Sequence, residues 1–297
     1  MLAAEGHRSG FISIVGRPNV GKSTLLNAFM GRKIAITSNK PQTTRNAIRG
    51  VLTGEGWQMI FIDTPGLHKP KTLLGERLND VVRGTLKEVD AIVFMLDATQ
   101  PVGSGDMFVA RQVLAAGTPA ICVVNKMDIT GPDRMVPQLQ AAQALGEWHS
   151  IIPISAARGT KVDELQALLV GLLEEGPQFY PDDVVTDQPR EMLLSEIIRE
   201  KAITLTHQEV PHSIAVGIQE ITERDDGMIE IYATVFVERD SQKGILIGKG
   251  GAMLREIGTR ARLELEWLLG GHIFLKLQVK VAKDWQRDPK NLQRMGY

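Results

Sequence analysis

Two glycine-rich loops hold the residues of this chain best suited to handling phosphate. The first, "GRPNVGKST", runs from Gly16 to Thr24 and contains Gly16, Asn19, Val20, Gly21, Lys22, Ser23 and Thr24. Its G-x-x-x-x-G-K-[ST] spacing lets backbone N–H groups wrap phosphates, brings the Lys22 ammonium to the β and γ phosphates and offers the Ser23 hydroxyl to Mg²⁺. "DTPG" supplies Asp63, Thr64, Pro65 and Gly66 at the end of an apolar run. There Asp63 is expected near Mg²⁺, usually through water, with the Gly66 N–H near the γ phosphate. D-x-x-G recurs at Asp128–Gly131, so it is the strand-end position that favours Asp63. "NKMD" contributes Asn125, Lys126 and Asp128. The Asp128 carboxylate can accept from two adjacent N–H groups of guanine, whereas adenine would leave that charge unpaired. "SAA", Ser155, Ala156 and Ala157, can add a backbone donor for the guanine oxygen.

The second loop, "GILIGKGGAML" from Gly244 to Leu254, lacks the phosphate-loop spacing, because Lys249 is followed by Gly250 and no hydroxyl is available for Mg²⁺. What fits is G-x-x-G, Gly248-Lys249-Gly250-Gly251, before a helix that begins near Met253. Such a loop lets a nucleic-acid backbone approach a helix N-terminus while apolar side chains face the bases. Ile245 and Ile247 are the candidate apolar contacts, with Leu246 the third of the run, some of which must face the core. Arg255 belongs to a local basic excess in which Arg239, Lys243, Lys249, Arg255, Arg260 and Arg262 face only Asp240 and Glu256. Lys276, Lys280, Lys283, Arg287, Lys290 and Arg294 continue it toward the C-terminus. Trp267 and Trp285 stand beside apolar residues at helix or strand spacing, which favours core packing over base stacking.

These residues need two kinds of scaffold. "FISIVG", "WQMIFIDTPG", "AIVFMLDAT", "AICVVNKMD" and "SIIPISA" are short apolar runs separated by helical stretches. They read as buried strands of a doubly wound, mostly parallel α/β sheet, with the motifs at the carboxyl ends of the strands. "GPQFYPDDVVTDQP", Gly176 to Pro189, has three prolines and no helical period and reads as a linker. Beyond it the order is helix, strand, strand, helix, helix, strand, an α+β arrangement. The expected division is residues 1–178, a linker at 179–189, and residues 190–297 with a basic tail.

A length of 297 residues suits two domains, and 43% hydrophobic with 23% charged residues suits a soluble globular protein. The net charge of -1 excludes a chain that is basic throughout, so any nucleic-acid contact must be a local patch. One cysteine, Cys122, excludes an internal disulfide and a cysteine-based metal site and points to a reducing cytosol. No signal peptide or membrane span is evident.

The ordered set GRPNVGKS, TTR, DTPG, NKMD and SAA resembles the translation-factor class of P-loop GTPases over about residues 10–175. "ILIGKGG" and the element order resemble a type II KH domain over about residues 190–285. The combination is similar to a family of bacterial GTPases of small-ribosomal-subunit maturation. That resemblance implies GTP as substrate, Mg²⁺ as cofactor, and Thr44 of "PQTTR", rather than Thr43, closing on Mg²⁺ and γ phosphate. It places Lys22, Thr44, Gly66 and Asn19 in catalysis, and at Asn19 it implies a K⁺ ion bridging the phosphates. It also implies a KH domain that takes the single-stranded 3′ region of the small-subunit rRNA, action on the small ribosomal subunit as a monomer, and a cytoplasmic location with peripheral contact at the inner face of the membrane. Many small GTPases have a glutamine after DxxG to orient water; here stands Leu67, so hydrolysis is expected to be slow without a partner. His68 next to it is given no catalytic role. Two other readings stay open in the residues: an RNA-binding scaffold with a structural nucleotide, and an ATP-driven RNA remodelling enzyme, against which NKMD argues.

Overall fold

The computed structural model describes residues 6–38, 40, 43, 45, 48–67, 73–208 and 210–295. They form two compact units whose main division falls between Asp187 and Gln188; of the earlier described residues, Ser38, Lys40, Thr43, Leu73 and Leu74 group with the second. In the first, β1 (Arg8–Gly16), α1 (Lys22–Met30), β2 (Ile48–Gly54), β3 (Trp57–Asp63), α2 (Leu73–Leu86), β4 (Ala91–Asp97), α3 (Ser104–Ala116), β5 (Ala120–Asn125), α4 (Pro132–Ala144), β6 (Ser150–Pro153) and α5 (Val162–Leu172) follow in order. The strands form one sheet, β2-β3-β1-β4-β5-β6, in which β2 runs antiparallel to β3 and the other neighbours are parallel.

Successive residues of a strand point to opposite faces, so an apolar run in a central strand must feed two cores. Ile12, Ile14, Val93, Met95, Ile121 and Val123 pack with α1 and α5. Val15, Ile92, Phe94, Leu96, Cys122 and Val124 pack with α2, α3 and α4. The buried Cys122 thiol, pushed up in pKa by desolvation and by the Asp106 charge, is inert packing material. Because β1 lies between β3 and β4, the chain reverses direction across the sheet at the carboxyl end of β1, which opens a crevice there.

The doubly wound, mostly parallel reading holds, but the sheet has a sixth strand, β2, that the five apolar runs do not include. "IRGVLTG" carries arginine, threonine and two glycines, and its buried side is held by only part of its residues. The stretch read as a linker makes specific bonds to the first unit. Gln58, fully buried, donates to the Tyr180 carbonyl at 2.8 Å and accepts the N–H groups of Phe179 at 2.8 Å and Tyr180 at 2.9 Å. Farther on, the Val51 N–H donates to the Val185 carbonyl at 2.8 Å, and Arg49 pairs with Asp187 at 3.0 Å.

The second unit contains α6 (Arg190–Leu205), α7 (Val210–Ser213), β7 (Ala215–Glu223), β8 (Ile229–Val237), α8 (Asp240–Ile247), α9 (Ala252–Leu269), β9 (Ile273–Val281) and α10 (Pro289–Arg294). Its three-stranded sheet, β7-β8-β9, pairs β8 antiparallel to β7 and parallel to β9. Leu194, Ile197 and Ile198 of α6 and Ile257, Ala261 and Leu265 of α9 cover one face of it. Helix, two strands, two helices and a strand thus give the expected type II KH order, extended by the short α7 and α10.

Gln58→Ala strips two backbone N–H groups of their acceptor in a buried setting. It is expected to lower the unfolding free energy by ~1–3 kcal/mol and to open the segment after Gly176 to proteases. Urea unfolding and mapped limited proteolysis check this.

Candidate functional site

The phosphate loop lies in the crevice at the end of β1. Gly21, at φ 105°, is in a region that side chains avoid, and it turns the chain into α1 so that the first N–H groups of the helix point into the loop. Asn19 also has a positive φ, 67°, which asparagine tolerates better than most residues. Lys22 is buried, and its ammonium donates to the carbonyls of Gly16 at 3.3 Å and Arg17 at 3.1 Å. Desolvation lowers its pKa to about 8, against the opposing pull of the Asp63 charge.

Ser23 and Asp63 meet directly: the hydroxyl donates to Oδ2 at 2.7 Å, and Asp63 is fully buried at the end of β3. Two hard oxygen donors, one from the first turn of α1 and one from the end of β3, suit Mg²⁺, which binds one or two protein oxygens and takes the rest from phosphate and water. Among the described residues no three of His, Cys, Asp and Glu gather as a metal cluster. Thr64 donates to the Ile14 carbonyl at 2.9 Å, which ties DTPG to β1. Gly66 lies against the phosphate loop so closely that a Cβ would come within 2.8 Å of the Pro18 nitrogen. Leu67 packs into the core beside α2 and α3, 2% exposed, and so presents nothing to a water at the phosphates. Thr44 and His68 lie outside the described residues, whereas Thr43 donates to the Lys40 carbonyl at 2.7 Å.

The residues expected to read the base sit at and just beyond the neighbouring strand ends. Asn125 donates to the Val20 carbonyl at 2.8 Å and accepts the Ala156 N–H at 3.0 Å. Lys126, at φ 72°, pairs with Asp97 at 2.6 Å. Burial pushes the Asp97 carboxyl up, but bonds from Lys126 and Thr99 outweigh it and hold the pKa below the usual value. Asp128 accepts the Ser155 hydroxyl at 2.7 Å, which fixes the plane of its carboxylate, and Arg158 approaches at 3.7 Å. The Ala156 N–H is engaged by Asn125, and Ala157 is exposed. Val20 is buried, while Thr24 lies in the first turn of α1. Asp97 was missed in the sequence, although it closes the apolar run of β4 just as Asp63 closes β3.

In the second unit α8 ends at Gly248 (φ 70°), Lys249–Gly251 form a single 3₁₀ turn, and α9 starts at Ala252. Gly250 (φ 60°) and Gly251 (φ 78°) have open space where a Cβ would stand. Arg255 donates to the Gly250 carbonyl at 2.8 Å and braces the loop. Of the apolar run, Leu246 is fully buried, Ile245 is 48% exposed and Ile247 is half-buried, so Ile245 and Ile247 are the residues a ligand can reach. A groove of about 340 Å³ opens beside the loop between α9 and β9, lined by Gly251, Leu254, Arg255, Arg262, Lys276 and Leu277 among others. Apolar floor and cationic rim suit bases with a phosphate backbone. On its β9 wall Lys276 belongs to the basic series of the sequence, whereas Leu275 and Leu277, which alternate with polar residues in "FLKLQVK", were not singled out.

The two tryptophans part ways. Trp285 is fully buried and donates to the Ser213 carbonyl at 2.9 Å, as core packing requires. Trp267 is 73% exposed, against expectation. The buried stripe of α9 is Ile257, Ala261 and Leu265, and Trp267, two positions on, is turned about 200° from that stripe.

A doubly wound sheet with a phosphate loop after β1, an acidic strand end at β3 and an Asn-Lys-x-Asp turn after β5 defines a P-loop GTPase, here followed by a KH domain. Family models agree: "50S ribosome-binding GTPase" matches residues 11–126 and "KH domain" matches residues 209–286. The GTPase Era of Mycobacterium sp. (strain JLS) is 51% identical over 295 residues, covering 98% of this chain and 99% of the relative. That of Nocardioides sp. (strain ATCC BAA-499 / JS614) is 50% identical, covering 98% and 96%. A crystal structure of Era in complex with MgGDPNP and nucleotides 1506–1542 of 16S ribosomal RNA superposes with a TM-score of 0.95 at 42% identity, covering 98% of this chain and 99% of that one. An Aquifex aeolicus Era variant bound to GDP and AlF4⁻ gives 0.94, also at 42% identity and with the same coverage. The chain belongs to the Era family of GTPases.

The lowered Lys22 pKa has a consequence for stability. An unfolded lysine keeps its proton up to about 10.5, so between about 8 and 10.5 the unfolded chain binds more protons than the folded one and stability rises with pH. Relative to Lys22→Met, the nucleotide-free wild type should gain ~1–3 kcal/mol as pH rises from about 8 to 10.5 and lose it again as pH falls back across the same window, with a constant difference below about 8. Urea unfolding of both proteins from pH 7 to 10.5 checks it; a difference constant over that whole range would contradict it.

Proposed function

We propose that the chain is a GTP-hydrolysing switch that grips the single-stranded 3′ region of the small-subunit rRNA with its KH unit and assists assembly of the small ribosomal subunit. The observation that carries this reading is the glycine turn at Gly248–Gly251 opening onto an apolar groove with a cationic rim. The Era complex with 16S ribosomal RNA supports it, because the superposition extends over nearly the whole of both chains.

In this reading residues 1–178 carry the nucleotide chemistry and residues 190–297 the RNA grip. Lys22 and the N–H groups of Asn19 to Thr24 hold the β and γ phosphates. Ser23, Asp63 and Thr44 hold Mg²⁺, which when bound neutralises charge on the phosphates. The Gly66 N–H faces the γ phosphate, and Asp128, oriented by Ser155, accepts from guanine. Asn19, turned by its positive φ, serves a K⁺ ion, a role supported only by the family resemblance; equal turnover in potassium and sodium salts would remove it. No side chain at 67 holds the attacking water, so turnover is slow until a partner completes the site. The factor works as a monomer in the cytoplasm, with peripheral contact at the inner membrane face. Among the described residues no helix is long and apolar enough to cross a membrane.

Two measurements test the reading. RNA from the small-subunit 3′ end should bind more tightly with a GTP analogue than with GDP. Gly250→Asp should weaken it at least tenfold (~1.4 kcal/mol), since aspartate tolerates the φ of 60° there, has room, and sets a negative charge against the backbone. Binding indifferent to both nucleotide and substitution would reject the RNA role. Asp128→Asn should lower GTP affinity by about two orders of magnitude while improving xanthosine triphosphate, whose exocyclic C2 oxygen stands in place of the 2-amino group that a carboxylate needs and accepts from an amide instead. Competition against labelled GTP reads this out.

A further inference from the structure

The phosphate loop contains one charged side chain that none of the motif logic uses. Arg17, the residue after Gly16, reaches to α3, where its Nε donates to Asp106 Oδ1 at 2.6 Å. Asp106 sits in the first turn of α3 and is almost completely buried. Its second oxygen, Oδ2, accepts the Gly103 N–H at 2.9 Å, so the carboxylate is fixed at both ends. A helix N-terminus also favours a negative charge there. The turn leaves space for the arginine only because residue 105 is glycine: a Cβ would stand 2.6 Å from Arg17 Cδ.

We propose that Arg17 is a positioning residue for GTP hydrolysis, clamped by Asp106 so that its own backbone carbonyl aims the Lys22 ammonium at the phosphates. An ammonium has three donors. Two of them go to the Gly16 and Arg17 carbonyls at 3.3 and 3.1 Å, so the direction of the third is set by where those carbonyls stand. Gly16 still belongs to β1, whose pairing with β4 continues to Gly16↔Met95 although that with β3 ends at Ile14, and this pairing holds its carbonyl. The Arg17 carbonyl lies beyond the strand and has the guanidinium clamp to hold it. The chain of contacts therefore runs from α3 through Asp106, Arg17 and Lys22 to the γ phosphate, and a shift of a few tenths of an ångström at Asp106 is felt at the reacting group. This rests on the reading of the crevice as a guanine-nucleotide site.

The test compares wild type, Arg17→Ala, Arg17→Lys and the double variant Arg17→Ala/Asp106→Asn in the full-length protein. It measures kcat for GTP per nucleotide-binding site together with the melting temperature. Arg17→Ala leaves Asp106 buried and unpaired and should lose both stability and about tenfold in kcat. Neutralising Asp106 in the double variant should return the melting temperature to within about 2 °C of wild type while kcat stays low. Arg17→Lys, which keeps a cation within reach of Asp106, should recover part of kcat. If the double variant recovers kcat along with stability, Arg17 only balances a buried charge and the proposal is overturned, as it is if Arg17→Ala turns over GTP within twofold of wild type. Should Arg17→Ala not fold, the double variant alone decides. Wild type without GTP turnover would instead reject the nucleotide reading itself.

Discussion

One side-chain amide holds three loops of the first unit together. Asn125 donates to the Val20 carbonyl of the phosphate loop and accepts the Ala156 N–H of the loop after β6. Its own backbone ends β5, next to the turn that carries Asp128. An amide offers a donor and an acceptor in a fixed plane, so a single group can satisfy two buried backbone polar atoms that would otherwise each cost a hydrogen bond. Asp would repel the Val20 carbonyl and Leu would satisfy neither atom. Phosphate grip and base choice are thereby set in one geometry, and the Ser155 bond to Asp128 completes it.

The second unit solves a different problem with the same residue type. In the phosphate loop, glycine lets the chain turn so that N–H groups converge on a small, highly charged ligand. Within Gly248–Gly251 the three glycines at 248, 250 and 251 have positive φ, and at Gly250 and Gly251 no side chain or neighbour fills the space beside the turn, while Arg255 braces it through the Gly250 carbonyl. A phosphate backbone can then run past at close range, with bases falling into the groove between α9 and β9. In the proposed reading the attraction for that backbone is local, from Arg255, Arg262 and Lys276 on the groove, in a chain whose net charge is only -1.

What could be read from the sequence was contiguous. GRPNVGKS, DTPG, NKMD and the G-x-x-G each put their chemistry within a few residues, and the central strands are apolar enough to show without their neighbours. What escaped was either non-local or carried by ordinary residues. Arg17 and Asp106 are far apart in sequence and meet only because β1 and β4 pair side by side. β2 lies at the sheet edge, where one strand neighbour suffices and the apolar signal is diluted by glycine and arginine. Trp267 has apolar neighbours in sequence, yet the phase of α9 turns it outward, because an aromatic residue at a helix end need not follow the stripe. The linker composition of residues 176–189 was legible, but its partner Gln58 was not, since a glutamine inside an apolar strand announces no particular contact.

The bonds between β2 and the segment ending at Asp187 also bear on how the molecule avoids its own kind. β2 is the outer strand of the larger sheet, and an outer strand with unsatisfied N–H and C=O groups invites pairing with another chain. The Val51 N–H, which points outward from that edge, is taken by Val185, and Thr186 donates to the Arg49 carbonyl at 2.7 Å. The short, proline-bearing stretch cannot itself extend into a new template strand, so the edge is closed without creating another. A chain cut at residue 178 would keep every nucleotide-site residue and lose this cover, which makes Asp187, and not the end of α5, the natural limit of a self-sufficient first unit.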